Sequence, residues 1–390
     1  MEITKLQPIS KDILEEIGFE WHTDPDSSSY IANEAIALKE EEAENYYAAA
    51  NELYDMFIEA AQYVIDHNLF FEIGIPFNAI DMIKMSWEED IHWHLYGRFD
   101  FAGGLDGTPI KLLEFNADTP TMLFESTIIQ WALLKANGMD ESLQFNNAYE
   151  SLRENFKRLI TLEENTSDFE SLYEGWRILF SSVQGNIEEE QTVRLLEHIA
   201  KEAGFNTQFC YAHEAHLSQE EGLFYQNLNY EFWFKLIPWE SIAVDEPDMA
   251  SMITEMMRNK NTIFLNPAYT LLFQSKRILK ILWDLFPNHP LLLETSFEPL
   301  PNQKQVKKHA FSREGENIQI IGANGEILAQ NGGSYGNLPA IYQSFTPLNQ
   351  YQDKHYQANV FYAFEACALG FRQGGEILDN YSKFVSHFIK

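Results

Sequence analysis

At 390 residues, with 45% hydrophobic and 14% aromatic content, the chain can bury one large core or fold as two to three lobes, which excludes a disordered segment. A formal net charge of −32 and an isoelectric point near 4.6 exclude generic nucleic-acid binding, because phosphates would be repelled, and favour a cationic partner such as a polyamine or basic peptide. Cys210 and Cys367 are the only cysteines, so a disulfide framework and a thiolate zinc site are excluded; with no signal-like N-terminus and no run of 18 apolar residues, a reducing cytoplasm and no membrane span are expected.

Residues 1–32 read as irregular apart from a short amphipathic piece around Asp12–Ile17. A long helix is expected from Asn33 to His67. Ala43, Tyr46, Ala50, Leu53, Phe57, Ala60 and Val64 recur three or four apart, and Glu40–Glu42 with Glu44 take the solvated side. A second helical piece is expected at Phe77–Trp87. His92 and His94 would share a strand face, either as a metal pair or as a strand-edge aromatic cluster; no third nitrogen or sulfur ligand is near them in sequence.

Leu95–Phe101 and Ile110–Asn116 read as strands joined by a Gly/Asp/Pro-rich turn. Strand side chains alternate, so Arg98 and Asp100 share a face, as do Leu112, Glu114 and Asn116, with Leu113 and Phe115 opposite. If the strands pair, two carboxylates, an amide oxygen and a permanent cation converge. All-oxygen ligands suit a hard cation such as Mg²⁺, which takes one or two carboxylates and shares phosphate oxygens with a substrate. The arginine is what a phosphoryl-transfer site needs against charge on the migrating phosphate. The same spacing also fits a solvated face with cross-strand ion pairing. The polar turn that follows, Asn116 to Thr121, is a place where functional groups are commonly carried.

Helical spacing resumes at Leu123–Ala136 and Asn147–Glu163, and polar Glu164–Gly175 reads as a lobe boundary. Trp176–Val183 as strand, Ile187–Ala203 as helix closed by Gly204, and Thr207–Ala212 as strand make a β–α–β unit, hence a small parallel sheet. Its loop holds the single Gly185 rather than a dinucleotide fingerprint, so the unit reads as scaffold. Phe232–Ile242 is aromatic-rich through Pro238-Trp239-Glu240, and Tyr269–Phe286 is expected as one helix carrying Lys276, Arg277 and Lys280. The last third is strand-rich: Gln305–Ala310, Asn317–Ile321 and Glu326–Gln330 about an Asn324-Gly325 turn, then Ala340–Phe345, Tyr356–Ala368 and Leu369–Arg372. The loop Ser312-Arg313-Glu314-Gly315 could lie over a polyphosphate, with backbone N–H groups and Arg313 as donors. A buried Arg372 would need a partner. No Ser-His-Asp or Cys-His signature is legible.

The strings YGRFDF (96–101), LLEFNADTPT (112–121), FPNHPLLL (286–293), FSREGENI (311–318) and YQSFTPL (342–348) resemble the glutathionylspermidine synthase family, most closely its stand-alone acid–amine ligase branch. The resemblance runs from about Gly18 to the C-terminus. It implies an α/β ATP-grasp fold: a helical region at 1–94, catalytic lobes at 95–170 and 261–390, and a pre-ATP-grasp-like α/β domain at 171–260. It implies ATP and two Mg²⁺ ions as cofactors, with Asp100, Glu114 and Asn116 as metal ligands and Arg98 stabilising the transferring phosphoryl group. Lys276 and Lys308 (or its neighbour Lys307) would contact phosphates under a loop of Arg313, Glu314 and Gly315. Gln343 and Ser344 would line the adenine slot with Gln357 nearby, Arg372 would reach the phosphates, Ile377, Leu378 and Asp379 would close the pocket, and Phe99 is counted with the nucleotide-binding strand. The activity implied is ATP-dependent amide formation between a small-molecule or peptide carboxylate and an amine. The alternatives are an ATP-grasp protein that binds nucleotide or peptide without turnover, and a metal-dependent hydrolase that needs no ATP. No counterpart of a cysteine amidase domain is present, so amide hydrolysis is not expected.

Overall fold

The alternation read in the hairpin governs the architecture, because one face of that hairpin, carrying Phe99, Phe101, Leu112 and Phe115, is apolar and must be covered. In a computed structural model, which describes residues 1–390, the chain begins with β1 (Glu2–Lys5), α1 (Lys11–Glu16), β2 (Ile31–Leu38), the 27-residue α2 (Glu40–Asp66) and α3 (Ile80–Glu88). The hairpin β3 (Gly97–Ala102) and β4 (Lys111–Asn116) follows, then a single π-helical turn at Glu125–Ile129 running into α4 (Gln130–Ala136), with α5 (Ala148–Thr161) and α6 (Phe169–Leu172) after it. The middle of the chain is β5 (Arg177–Ser182), α7 (Ile187–Glu202), β6 (Asn206–Tyr211), a meander of β7 (His216–Ser218), β8 (Gly222–Tyr225) and β9 (Leu228–Tyr230), then β10 (Phe232–Lys235), α8 (Trp239–Asp245), α9 (Pro247–Arg258) and β11 (Ile263–Leu265). The last third holds α10 (Thr270–Gln274), α11 (Ile278–Leu285), β12 (Thr295–Ser296), β13 (Gln305–His309), β14 (Gln319–Ile321), β15 (Ile327–Gln330), β16 (Ala340–Ser344), β17 (Asn349–Tyr351), β18 (Lys354–Ala363), β19 (Glu365–Gly374) and β20 (Lys383–Ile389).

Three sheets matter for the site. The largest runs β1-β2-β20-β19-β18-β3-β4, antiparallel except for the parallel pair β2–β20. Its aromatic face is covered by α2: Phe57 meets Phe99 and Phe115 edge-on, and those two stack at 3.8 Å between centroids. The second sheet, β11-β10-β5-β6, is wholly parallel, as the β–α–β spacing requires. The third, β12-β16-β13-β14-β15, is antiparallel and includes the expected Asn-Gly turn. Leu112 N–H on edge strand β4 donates to the Leu291 carbonyl, which ties this third unit to the large sheet.

Several sequence expectations fail. A register shift between Asp100 and Phe101 turns Leu112 into the core opposite Phe101 and leaves Leu113 lining the cleft, the reverse of the faces expected for them. Asn33–Leu38 is strand, not the start of the long helix. Its Ala- and Glu-rich composition favours helix locally, but Ile36 and Leu38 are fully buried where β2 pairs with both β1 and β20. Residues 1–32 are correspondingly less irregular than read, since β1 is there. The expected helix Tyr269–Phe286 breaks into α10 and α11, because the Lys276 N–H donates to the Ala310 carbonyl and leaves the helical ladder. Tyr356–Ala368 is two strands, turning at Phe364 with φ of 69°. The sequence reading also stopped short of β20.

Candidate active site

The three units enclose a cleft of about 530 Å³, within the range usual for small-molecule sites. Its floor is the polar face of the large sheet. The register pairs Arg98 with Asn116 and Asp100 with Glu114, so all four side chains rise on the side away from the aromatic layer. On the neighbouring strand Asn359 lies opposite Asp100, and Gln357 opposite Arg372.

The cation and the carboxylates are already engaged with one another. Arg98 holds Asp100 in a fork, Nε to Oδ1 at 2.7 Å and Nη2 to Oδ2 at 2.9 Å, and its Nη1 donates to the Thr121 carbonyl at 2.9 Å. Asn359 Nδ2 donates to the same Asp100 Oδ1 at 2.7 Å. Lys276 Nζ reaches Glu114 Oε2 at 3.1 Å and donates to the Ser312 carbonyl at 2.6 Å. Lys308 Nζ donates to Gln343 Oε1 at 2.8 Å and to the Leu113 carbonyl at 2.9 Å. Burial works to raise the Glu114 carboxyl, but Lys276, Lys308 and Arg98 outweigh it and hold the group below its usual range. Burial pushes the Lys308 ammonium down to about 8, with Glu114 opposing and Lys276 adding to the shift. Asn116 Oδ1 is buried with no hydrogen-bond donor.

Of the residues expected from sequence, Arg98, Asp100, Glu114, Asn116, Lys276, Lys308, Arg313, Glu314, Gly315, Gln343, Ser344, Gln357, Arg372, Ile377 and Leu378 all line this cleft. Lys308 faces it and Lys307 does not, because adjacent residues of β13 point to opposite sides. Two residues do not line it. The Phe99 side chain lies in the aromatic layer, fully buried. Asp379 offers its carbonyl to Arg372 Nη2 at 2.6 Å, while its carboxylate caps the Tyr381 and Ser382 turn. His92 and His94 form no metal pair and lie on no strand. His94 stacks on Tyr54 and bonds the Ala117 carbonyl, and burial pushes its ring down to about 4.

The β–α–β unit is more than scaffold: Asn186, Glu188 and Glu189, at the start of α7, form a wall of the cleft. Burial, and then the charge of Glu125, push the Glu188 carboxyl up to about 8. Tyr30, Thr119 and Thr121 also line the site and were not anticipated. Tyr30 has no local signal in the sequence, whereas both threonines belong to the polar turn after β4. No group of three or more His, Cys, Asp or Glu side chains is assembled as a metal site, so any ion here would draw on amide and substrate oxygens as well.

The model of the glutathionylspermidine synthase pre-ATP-grasp family matches residues 1–390. The chain belongs to the glutathionylspermidine synthase family. It is 29% identical over 390 residues to a Haemophilus influenzae protein named "Putative acid–amine ligase", covering 95% of this chain and 94% of that protein. It is 25% identical to trypanothione synthetase from Crithidia fasciculata and to the bifunctional glutathionylspermidine synthetase/amidase of Escherichia coli, spanning about half of each (52%). Members of the glutathionylspermidine synthase family are thus named as ligases. Among solved structures, a glutathione synthetase-like effector from Globodera pallida matches 98% of this chain with a TM-score of 0.55 at 10% identity, which establishes the ATP-grasp fold. No helix of this family member is long and apolar enough to cross a membrane.

Proposed function

We propose that the chain is an ATP- and Mg²⁺-dependent carboxylate–amine ligase working through an acyl phosphate. The observation that carries this reading is the convergence of Arg98, Asp100, Glu114 and Asn116 with Lys276 and Lys308, drawn from separate stretches of chain, in a single cleft. In the proposed reaction a substrate carboxylate oxygen attacks the γ-phosphorus of ATP and ADP leaves. An amine nitrogen then attacks the acyl carbon, phosphate leaves, and the nitrogen gives up a proton.

In this reading the protein's part is positioning and charge compensation. Arg98 neutralises charge on the phosphoryl group in flight, while Lys276 and Lys308 hold phosphate oxygens. Asp100, Glu114 and Asn116 would hold Mg²⁺, two ions in the fullest form of the proposal. The donorless, buried Asn116 Oδ1 and the cleft-facing Glu114 carboxylate fit a hard cation. Such an ion would screen the phosphates from the incoming nucleophile. Gln343 and Ser344 are assigned to the adenine side and Ile377 and Leu378 to closing the pocket. Segments 95–170 and 261–390 are read as the ATP-grasp lobes and 171–260 as the pre-ATP-grasp unit. Glu188 and Glu189 in the cleft wall support a cationic amine, whose charge would draw Glu188 back to its carboxylate form, with a polyamine as the leading class.

A phosphate-release screen over acid–amine pairs tests the proposal. The expected result is ADP release that requires both partners, with a product whose mass is acid plus amine less water. Tight Mg·ATP binding with no acceptor-dependent release would leave the non-turnover alternative; no Mg·ATP binding would sink both.

A further inference from the structure

The loop that covers the cleft is held from outside its own unit. Arg313 lies in the turn after β13, yet its guanidinium bonds are made to other segments. Its Nη2 donates to Glu240 Oε1 at 2.5 Å, and its Nη1 donates to Thr119 Oγ1 at 2.9 Å. Glu240 sits in the first turn of α8 with its side chain 11% exposed, in the unit of the small parallel sheet. A charged fork shut between a buried carboxylate and a hydroxyl is a specific, directional contact.

The start of α8 is itself fixed by an unusual set of contacts. The residue before it is Pro238, which has no side-chain donor or acceptor to cap the helix. The Trp239 N–H, which has no intrahelical partner, is instead capped by Asp118 Oδ2 at 2.9 Å, a residue from the turn after β4. Trp239 Nε1 donates to the Asn266 carbonyl, and Asn266 Nδ2 returns to the Asp118 carbonyl at 2.8 Å. The Lys235 ammonium lies 3.7 Å over the Trp239 ring and 3.9 Å from Asp118 Oδ1, with both charged side chains wholly buried. Glu240 therefore projects from a helix end that has little freedom to move.

We infer that Glu240 is a positioning residue: it fixes Arg313, and through Arg313 the 311–315 roof of the cleft, while the Asp118–Lys235 pair fixes Glu240. The small parallel-sheet unit thereby sets the height of a loop that belongs to another sheet. This inference needs only the contacts of the ligand-free chain; the ligase reading bears on what the roof covers.

Hydrogen exchange on the ligand-free protein tests it. Glu240→Gln keeps the shape and removes the charge, and should speed exchange of the Ser312 and Glu316 amides, which the loop closes onto the His309 and Arg313 carbonyls, at least ten-fold while residues 242–246 of α8 keep their protection. In an Arg313→Ala background the same substitution should add nothing. Thr119→Val, which leaves α8 untouched, should give a smaller acceleration confined to the same loop, and it serves alone if the glutamine variant does not fold. Unchanged loop exchange, equal loosening of α8, or a full further effect without Arg313 would each overturn the inference. The phosphate-release screen has no bearing on these outcomes, so the two proposals fail separately.

Discussion

Arg98 and Asp100 carry opposite charges, are nearly inaccessible to solvent and already satisfy each other, so the arginine is pre-set in direction before any substrate enters. Arg98→Ala should lower turnover of a working acid–amine pair by orders of magnitude with little change in Mg·ATP affinity, since its proposed contact strengthens in the transition state. A near-native rate of ADP release in that variant would remove Arg98 from its proposed role. Lys308 makes a prediction about protons. Burial holds its pKa to about 8, so above that pH the free protein carries it neutral. A phosphate ligand favours the charged form, so binding must take up a proton there, and nucleotide affinity should fall as pH rises past 8. Calorimetric titration of Mg·ATP at pH 8.5 in buffers of different ionisation enthalpy should register that uptake in the native protein and not in Lys308→Met. Arg98, Asp100, Glu114 and Asn116 are legible from the hairpin's two-residue alternation, whereas Lys276, Lys308, Gln343, Ser344, Gln357, Ile377 and Leu378 follow only from the family resemblance. Glu240 and Glu188 carry no local signal: Glu240 meets Arg313, 73 residues away, and the Glu188 carboxyl feels the charges of Glu125 and Arg372.

Helix α7 was legible because it packs one apolar stripe, and β5 because two-sided burial leaves a continuous apolar run at its centre. In the hairpin the alternation holds from Glu114 to Asn116 and breaks at the register shift that turns Leu112 inward. β20 escaped because Phe384, Val385, Ser386 and His387 are all buried, which erases the alternation. β2 escaped because pairing on both edges overrode a helix-favouring composition, and the α10–α11 break lies in a single backbone hydrogen bond to Ala310 that no local signal encodes. At this scale the hairpin depends on Gly97. A Cβ there would sit 2.6 Å from Phe115 Cε2 and 3.2 Å from the Ala117 backbone. Gly97→Ala should therefore cost about 1–3 kcal/mol through overpacking. Urea unfolding checks the size, and an unchanged midpoint would show that Phe115 can move aside freely.

Across the whole molecule, the Asp118–Lys235 pair joins the large sheet to the small parallel one with no solvent access on either side. Burial raises the Asp118 carboxyl and lowers the Lys235 ammonium, so each is tolerated as an ion chiefly because the other is present. Lys235→Met strands a carboxylate in the interior and should cost about 3–5 kcal/mol at neutral pH. Adding Asp118→Asn should recover much of that loss, giving a double variant far more stable than additivity allows. The sign of the pH dependence follows from the aspartate. With the lysine gone its folded pKa rises further above the unfolded value, so the folded state gains from protonation and that gain is lost as pH climbs through the folded pKa. The deficit of Lys235→Met against the native chain should accordingly shrink as pH falls from 7 towards 5, and the double variant should show no such trend. Urea midpoints across that range decide it: a constant deficit would mean that the damage is lost packing against Trp239 rather than an unpaired charge, and that the two units are joined by shape instead of electrostatics.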